Sequence, residues 1–336
     1  MATTTAVLPP AKPRRNWRRR SQPYLYLLPA LAVMAIITFY PLGYQVWMSF
    51  TDFGDKNFNI RLGPPPPNFV GLDNYVRIAT SKLQIPNFEF GRLVLFNLWW
   101  ALSNVVIHVI LGVAVAVLLN TKGLMFRGIY RAIFILPVVI PSIIVATVWR
   151  NMFTPDGGAV NYLLQALGGI IGIPADAPGL NLDWLRQVDD PISFIPLPLA
   201  YFALLTANSW LGWPLNSVVA TGALQSIPGE LYEAAEIDGA TKRQQFVHVT
   251  WPGLRPTAVF ILITITIAAF SLFSQVNLMT QGGPLDSTVT LVLMAVRVGF
   301  QQQQTGYAAA ISLVFFALVL IVTLLNRYFT RDKDAR

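Results

Sequence analysis

Six long apolar runs separated by polar stretches set the rhythm of this 336-residue chain, at roughly 24–50, 93–119, 132–153, 197–224, 257–279 and 306–325. Each reaches the roughly 20 residues that a helix needs to cross a bilayer core. Helices satisfy their own backbone hydrogen bonds where water is absent, so the pattern predicts an all-α polytopic bundle of six transmembrane helices. An even number of crossings puts both ends of the chain on one side. The expected division is a basic tail over 1–23, a transmembrane domain over 24–328 with a long polar loop at 225–256, and a second tail over 329–336.

Charge orients the bundle. Only 12% of residues are charged and 54% are hydrophobic, against about 25% charged in soluble domains. The tails and the loops after the second and fourth runs hold 16 of the 24 Lys and Arg but 6 of the 16 Asp and Glu. That side carries +10 and the other −2, so the positive-inside rule makes it cytoplasmic, with both termini there and the protein in the cell membrane. The net charge of +8 is then an orientation signal, and no nucleic-acid partner is expected. Arg14, Arg15, Arg18, Arg19 and Arg20 anchor the first run. That run is too long for a signal-peptide core and no small-residue cleavage site follows, so it is expected to be retained. The outward loops, 51–92 with the stiff run Pro64, Pro65, Pro66 and Pro67, and 154–196, are either connectors or contacts for an external partner.

The interior is chemically bare. With no cysteine and only His108 and His248, the chain offers no disulfide, no thiolate nucleophile, no cofactor site and no multi-histidine metal site. No Asp, Glu or Lys falls within the six runs, and the ionisable groups at membrane depth are His108 and Arg150. Proton- and sodium-coupled carriers use intramembrane carboxylates or histidine relays, so a self-powered carrier is disfavoured. His108 reads either as a neutral packing residue or as a lining residue. No GxxxxGK[ST] phosphate loop is present. The chain is not expected to be an enzyme, and uphill transport would need energy from another subunit.

The loop QSIPGELYEAAEIDGATKRQQFVHVTWPGLRP, 225–256, carries the most local information. Pro228 fixes a helix start and Glu230, Glu233 and Glu236 suit its N-terminal half. Leu231, Ala234 and Ala235 form a small apolar stripe, Gly239 ends the helix, and Thr241 with Gln244 reads as a capping box. A second short helix is expected through Phe246 to Trp251 and Pro252. Such a helix–glycine–helix element suits a partner's groove. The phrase EAAEIDGA followed by a hydrophobic–Pro step resembles the EAA loop of permease subunits in binding-protein-dependent ABC importers, and Glu233, Ala234, Ala235, Gly239 and Pro252 match its pattern, with Asp238 inside the phrase. Trp251 stands where that family usually has Leu. Stretches 127–153, 224–240, 278–284 and 306–312 are similar, in order and spacing, to the carbohydrate-uptake branch, the maltose-type and glycerol-3-phosphate-type permeases.

The resemblance implies a type I importer fold in which the EAA loop is a coupling helix docked on cytoplasmic ATPase. The implied partners are a second homologous permease, two ABC ATPase subunits, and an external binding protein that delivers solute. In the fifth run Thr264, Ala268, Ser271 and Gln275 recur on one helical face, and in the fourth Asn208, Gly212 and Asn216 do so beside Trp210 and Trp213. Amides, hydroxyls and rings suit a neutral sugar, although small residues also serve helix packing and Trp also anchors at interfaces. The resemblance points to the same two helices for solute contact and to the Gly282, Gly283, Pro284 turn for the binding protein. A phosphorylated solute would need basic lining, for which Arg150 and Arg297 are the candidates. An independent facilitator is the competing class.

Overall fold

The apolar runs become the long helices of a computed structural model that describes residues 17–58, 63, 65–83, 88–121, 123–177, 179–188 and 197–330. Arg14, Arg15 and Pro64 lie outside the described residues, as do 1–16 and 331–336 of the two expected tails. Among the described residues the one β pairing outside helices is an isolated bridge between Thr51 and Phe69.

The first run starts earlier than its apolar pattern. Helix α1 (Trp17–Met34) continues through a π-helical turn, Ala35–Phe39, into α2 (Tyr40–Met48). None of the most apolar stretch of this segment is buried by the rest of the chain. A short helix α3 (Asp73–Ala79) follows in the loop. Its Asn74 side-chain amide donates to the carbonyls of Ser49 (2.8 Å) and Thr51 (2.9 Å), which ties the loop to the end of α2.

The second run is the uninterrupted α4 (Phe90–Asn120), about 46 Å long at a 1.5 Å rise per residue. The third is not one helix. It splits into α5 (Arg127–Val139) and α6 (Ser142–Met152), bent by 96°. Proline clashes with the backbone of the residue before it and drives that residue out of helical geometry. Ile140, before Pro141, is accordingly extended at ψ 127°. After α7 (Ala159–Ile170), the fourth run is α8 (Leu199–Ser226), within two residues of the predicted limits. Among the described residues, four segments qualify as spans by length and apolar composition, or five if α5 and α6 count as one. α8 is long enough but carries Asn208, Ser209, Asn216, Ser217 and Thr221; six crossings are consistent with this set.

The polar loop holds α9 (Gly229–Ile237) and α10 (Lys242–Gln245). Here the expected stop at Trp251 and Pro252 does not occur. A π-helical turn, Phe246–Thr250, carries α10 directly into α11 (Trp251–Phe270), with Pro252 in the first turn of α11, where its missing N–H costs little. The fifth run then breaks at Ser271 before α12 (Ser274–Met279). Helices α13 (Leu291–Val296) and α14 (Thr305–Thr330) complete the chain.

Packing centres on α4 and α8. Asn208 donates to the side-chain carbonyl of Asn104 at 2.5 Å, His108 lies against Gly212, and Gly112 against Asn216. All three pairs share one sequence offset and rise together, so α4 and α8 run parallel, as alternate crossings must. Buried Trp100 donates from Nε1 to the Ala269 carbonyl on α11 at 3.1 Å, and the Tyr201 hydroxyl meets Ser103 at 2.5 Å. Lipid tails are as apolar as leucine, so such close small-residue contacts and interhelical hydrogen bonds, each worth about 0.6–2 kcal/mol, hold the helices together.

Candidate functional site

A cavity of about 510 Å³ opens where α4, α8 and α11 meet the broken third span. Its wall includes Asn208, Gly212 and Asn216 from α8 and Thr264 and Ala268 from α11, so two stripes read separately from the sequence converge on one volume. The packing of α11 on α4 and α8 brings them together. The kink itself, Pro137 to Ser142, supplies another wall. Among the described residues, no Lys, Arg, Asp or Glu lines this cavity.

The other predicted lining residues lie elsewhere. Trp210 meets Trp149 of α6 edge to face, with centroids 6.4 Å apart, and Trp213 meets Phe134 of α5 in the same way at 5.3 Å. The two tryptophans therefore brace the two arms of the bent span and do not face the cavity. Ser271 ends α11, so the face that begins at Thr264 and Ala268 stops there. Gln275 follows the break on α12, is fully buried, and neither amide atom has a hydrogen-bond partner. A stripe drawn through four positions assumed an unbroken helix.

His108 joins the cavity wall. It is 5% exposed. One ring nitrogen faces the main-chain carbonyl of Asn208, while Nε2 is without a partner. A Cβ at position 212 would overlap Cε1 of the ring, which explains glycine there. The sequence signal was present, since Asn97, Asn104, His108 and Gly112 share one buried face of α4. Without the partner helix that face does not declare what it meets.

The second site is the polar loop. Helix α9 has no buried residue. Glu230, Leu231, Glu233, Ala234, Glu236, Ile237 and Asp238 are all exposed, and Ala235 is half-buried. Gly239 turns the chain at φ +73°, with nothing within 4 Å of where a Cβ would lie. It is glycine because of its backbone angle, since an L side chain in that region strains against the following carbonyl. The capping box forms as expected: Thr241 accepts from the Gln244 amide, and the Gln244 side chain accepts from the Thr241 amide at 2.8 Å. A Lys242–Glu236 ion pair of 2.6 Å bridges the turn, and the Tyr232 hydroxyl meets Thr250 at 3.0 Å. α9 is thus fixed to the foot of the fifth span and bare on its other side.

The Gly282, Gly283, Pro284 turn follows α12. Gly282, at φ +84°, is buried, and Gly283 and Pro284 are half-buried. Arg297 pairs with Asp286 at 2.7 Å and also donates to the Gln281 carbonyl. Arg297 therefore clasps the turn and does not line the cavity, and Arg150 is exposed at the end of α6.

Known proteins resemble this chain in sequence and in fold. Residues 89–334 match the family described as "Binding-protein-dependent transport system inner membrane component". The trehalose/maltose transport system permease protein MalF of Thermococcus litoralis is 30% identical over 310 residues, covering 92% of this chain and 93% of that protein. The multiple sugar-binding transport system permease protein MsmF of Streptococcus mutans is 29% identical over 303 residues, covering 90% and 93%. In fold, the chain is similar to one from the crystal structure of a bacterial ABC transporter involved in import of the acidic polysaccharide alginate. The TM-score is 0.73 at 21% identity, over 96% of this chain and 100% of that one.

Proposed function

The chain belongs to the binding-protein-dependent transport system inner membrane component family, and from that premise we propose that it moves a neutral sugar or oligosaccharide, driven through α9 by ATPase subunits. As a member of the family it is a multi-pass permease subunit of an ABC importer, without catalytic activity, and ATP hydrolysis belongs to a separate subunit. One observation carries the coupling. α9 is clamped to the foot of a segment, Lys242–Met279, that counts as a single candidate span, and Thr264 and Ala268 on that segment line the cavity.

A push on α9 therefore reaches the cavity wall without crossing a flexible joint before Ser271. In this reading Glu233 makes polar contacts with the ATPase, Ala234 and Ala235 permit close approach, and Asp238 and Gly239 form the stiff turn. Pro252 fixes the start of the rod. Two ATPase subunits drive two permeases, this chain and a homologous second one, and both termini are cytoplasmic by the charge division. The transport unit is residues 24–328.

The solute reading rests on the cavity. Asn208, Asn216 and Thr264 offer hydrogen bonds, and the absence of a lining cation among the described residues speaks against a phosphorylated solute. The names of the trehalose/maltose and multiple-sugar relatives support the same class. An external binding protein delivers solute at the Gly282, Gly283, Pro284 turn, next to which Leu285 is 68% exposed. Reconstitution decides between the importer and a facilitator. Labelled sugar should enter vesicles only when the second permease, the ATPase subunits, the binding protein and ATP are all present, and flux through this chain alone would overturn the reading.

A further inference from the structure

Helix α7 is amphipathic in the reverse sense to a helix in water. The side packed on the chain carries both of its amide residues, Asn161 and Gln165, beside Val160 and Leu164. Asn161 is 2% exposed and is a hydrogen-bond hub, its side-chain amide donating to Asn181 and Leu182 at 3.0 Å, and its oxygen accepting from the Trp184 indole at 2.9 Å. Gln165, one turn on, is half-buried, and Gly168 lies against Leu180. The outer side is entirely apolar. Tyr162 is 63% exposed, Leu163 60%, Leu167 52%, Ile170 80%, and Ile171 just beyond the helix 74%. α7 contains no charged residue.

Twelve residues are too few to cross a bilayer, and apolar helices of this length lie at interfaces or in cores. An arc of Tyr, Leu and Ile turned away from the packed face that carries both amides is stable where the surroundings are hydrocarbon, with a tyrosine at the headgroup level. Position agrees. Six residues separate the end of α6 from the start of α7, and the outward residues of α6, Ile143, Ile144 and Val148, are more than half exposed, as lipid-facing residues of a span are. α7 touches α6, so its exposed apolar residues adjoin a helix that is itself exposed and apolar. The Asn161 hub holds the helix at a fixed attitude to the segment bearing Trp184.

We propose that α7 lies flat in the boundary between lipid headgroups and acyl chains, with Tyr162, Leu163, Leu167 and Ile170 in the membrane, and anchors the broken third span. The absence of cysteine makes the test direct. Single variants Leu163→Cys, Leu167→Cys and Ile170→Cys, with Asp156→Cys in the exposed preceding loop as the aqueous reference, are spin-labelled in the assembled transporter. The complex is placed in phosphatidylethanolamine–phosphatidylglycerol vesicles. Labels on α7 should collide more with dissolved oxygen than with a water-soluble nickel chelate, and the label at 156 should show the reverse. Nickel-dominated collisions at all three α7 positions would overturn the proposal. So would immobilisation of those labels on adding the binding protein, which would make the face a protein-docking surface. Three separate positions guard against one variant that fails to fold.

Discussion

Gly212→Ala tests the contact that builds the cavity wall. The new Cβ would lie 2.5 Å from Nδ1 and 2.6 Å from Nε2 of His108 and would overlap Cε1, whereas ordinary contact begins at 3.4 Å. The imidazole or the helix must therefore move by about 0.8 Å or more. The ring has little freedom to do so, since it is 5% exposed and faces the Asn208 carbonyl on the same helix. Overpacking of this kind costs about 1–3 kcal/mol. His108→Ala removes the obstruction, so in that background Gly212→Ala should cost close to nothing. A double-mutant cycle on the purified protein, unfolded by denaturing detergent, measures the difference as a coupling energy. Equal costs of Gly212→Ala in the two backgrounds would refute the packing argument. The single variant should also lower transport at saturating solute, because Asn208 and Asn216 border the displaced ring.

Asn104→Leu should destabilise by about 1–3 kcal/mol, because it leaves the buried Asn208 amide without its acceptor; the Asn104→Leu/Asn208→Leu pair should cost less, read by the same unfolding assay. Arg297→Ala removes both donors that clasp the Gln281–Asp286 turn and should weaken stimulation of ATP hydrolysis by the loaded binding protein while leaving basal hydrolysis unchanged; unaltered stimulation would remove the turn from the docking account. Burial alone would raise the Asp52 carboxyl, but donation from Lys56 and Asn68 outweighs it and holds the group below its ordinary value of 3.8. The ionised clamp on the 52–68 loop is therefore complete above that value and lost as pH falls through the depressed one. Asp52→Asn should flatten this acid dependence, seen as pH-dependent proteolysis of the loop.

Local chemistry was the most legible part of the chain. The capping box of Thr241 and Gln244, the turn at Gly239 and the helix start after Pro228 depend on neighbours within a few residues, and all formed as the sequence implied. The apolar runs gave the long helices for the same reason, since hydropathy over 20 residues is a local sum. Their interruptions were harder. Pro141 broke the third span and Pro252 did not break the fifth, because one extends the residue before it in mid-span and the other falls in a first turn after a π-helical insertion. The stripe from Thr264 to Gln275 failed for a related reason: periodicity projects a face only as far as the helix lasts, and this one ends at Phe270. Trp210 and Trp213 suited either sugar stacking or interfacial anchoring by sequence, and their contacts with Trp149 and Phe134 depend on the bend between α5 and α6, which lies far from them in the chain. His108 needed the register of α4 on α8, a long-range fact that no window of sequence contains.

In the proposed mechanism ATPase drive enters at α9. Gly239→Val isolates that role, since no residue beyond the chain neighbours lies within 4 Å of the added Cβ and the cost is backbone strain of roughly 1–2 kcal/mol confined to the turn. ATP-driven sugar uptake by vesicles holding the complete transporter is the direct measurement, with membrane insertion and subunit assembly checked in parallel. Uptake should fall steeply while insertion and assembly are kept; uptake equal to the unaltered chain's would contradict the coupling role of this element.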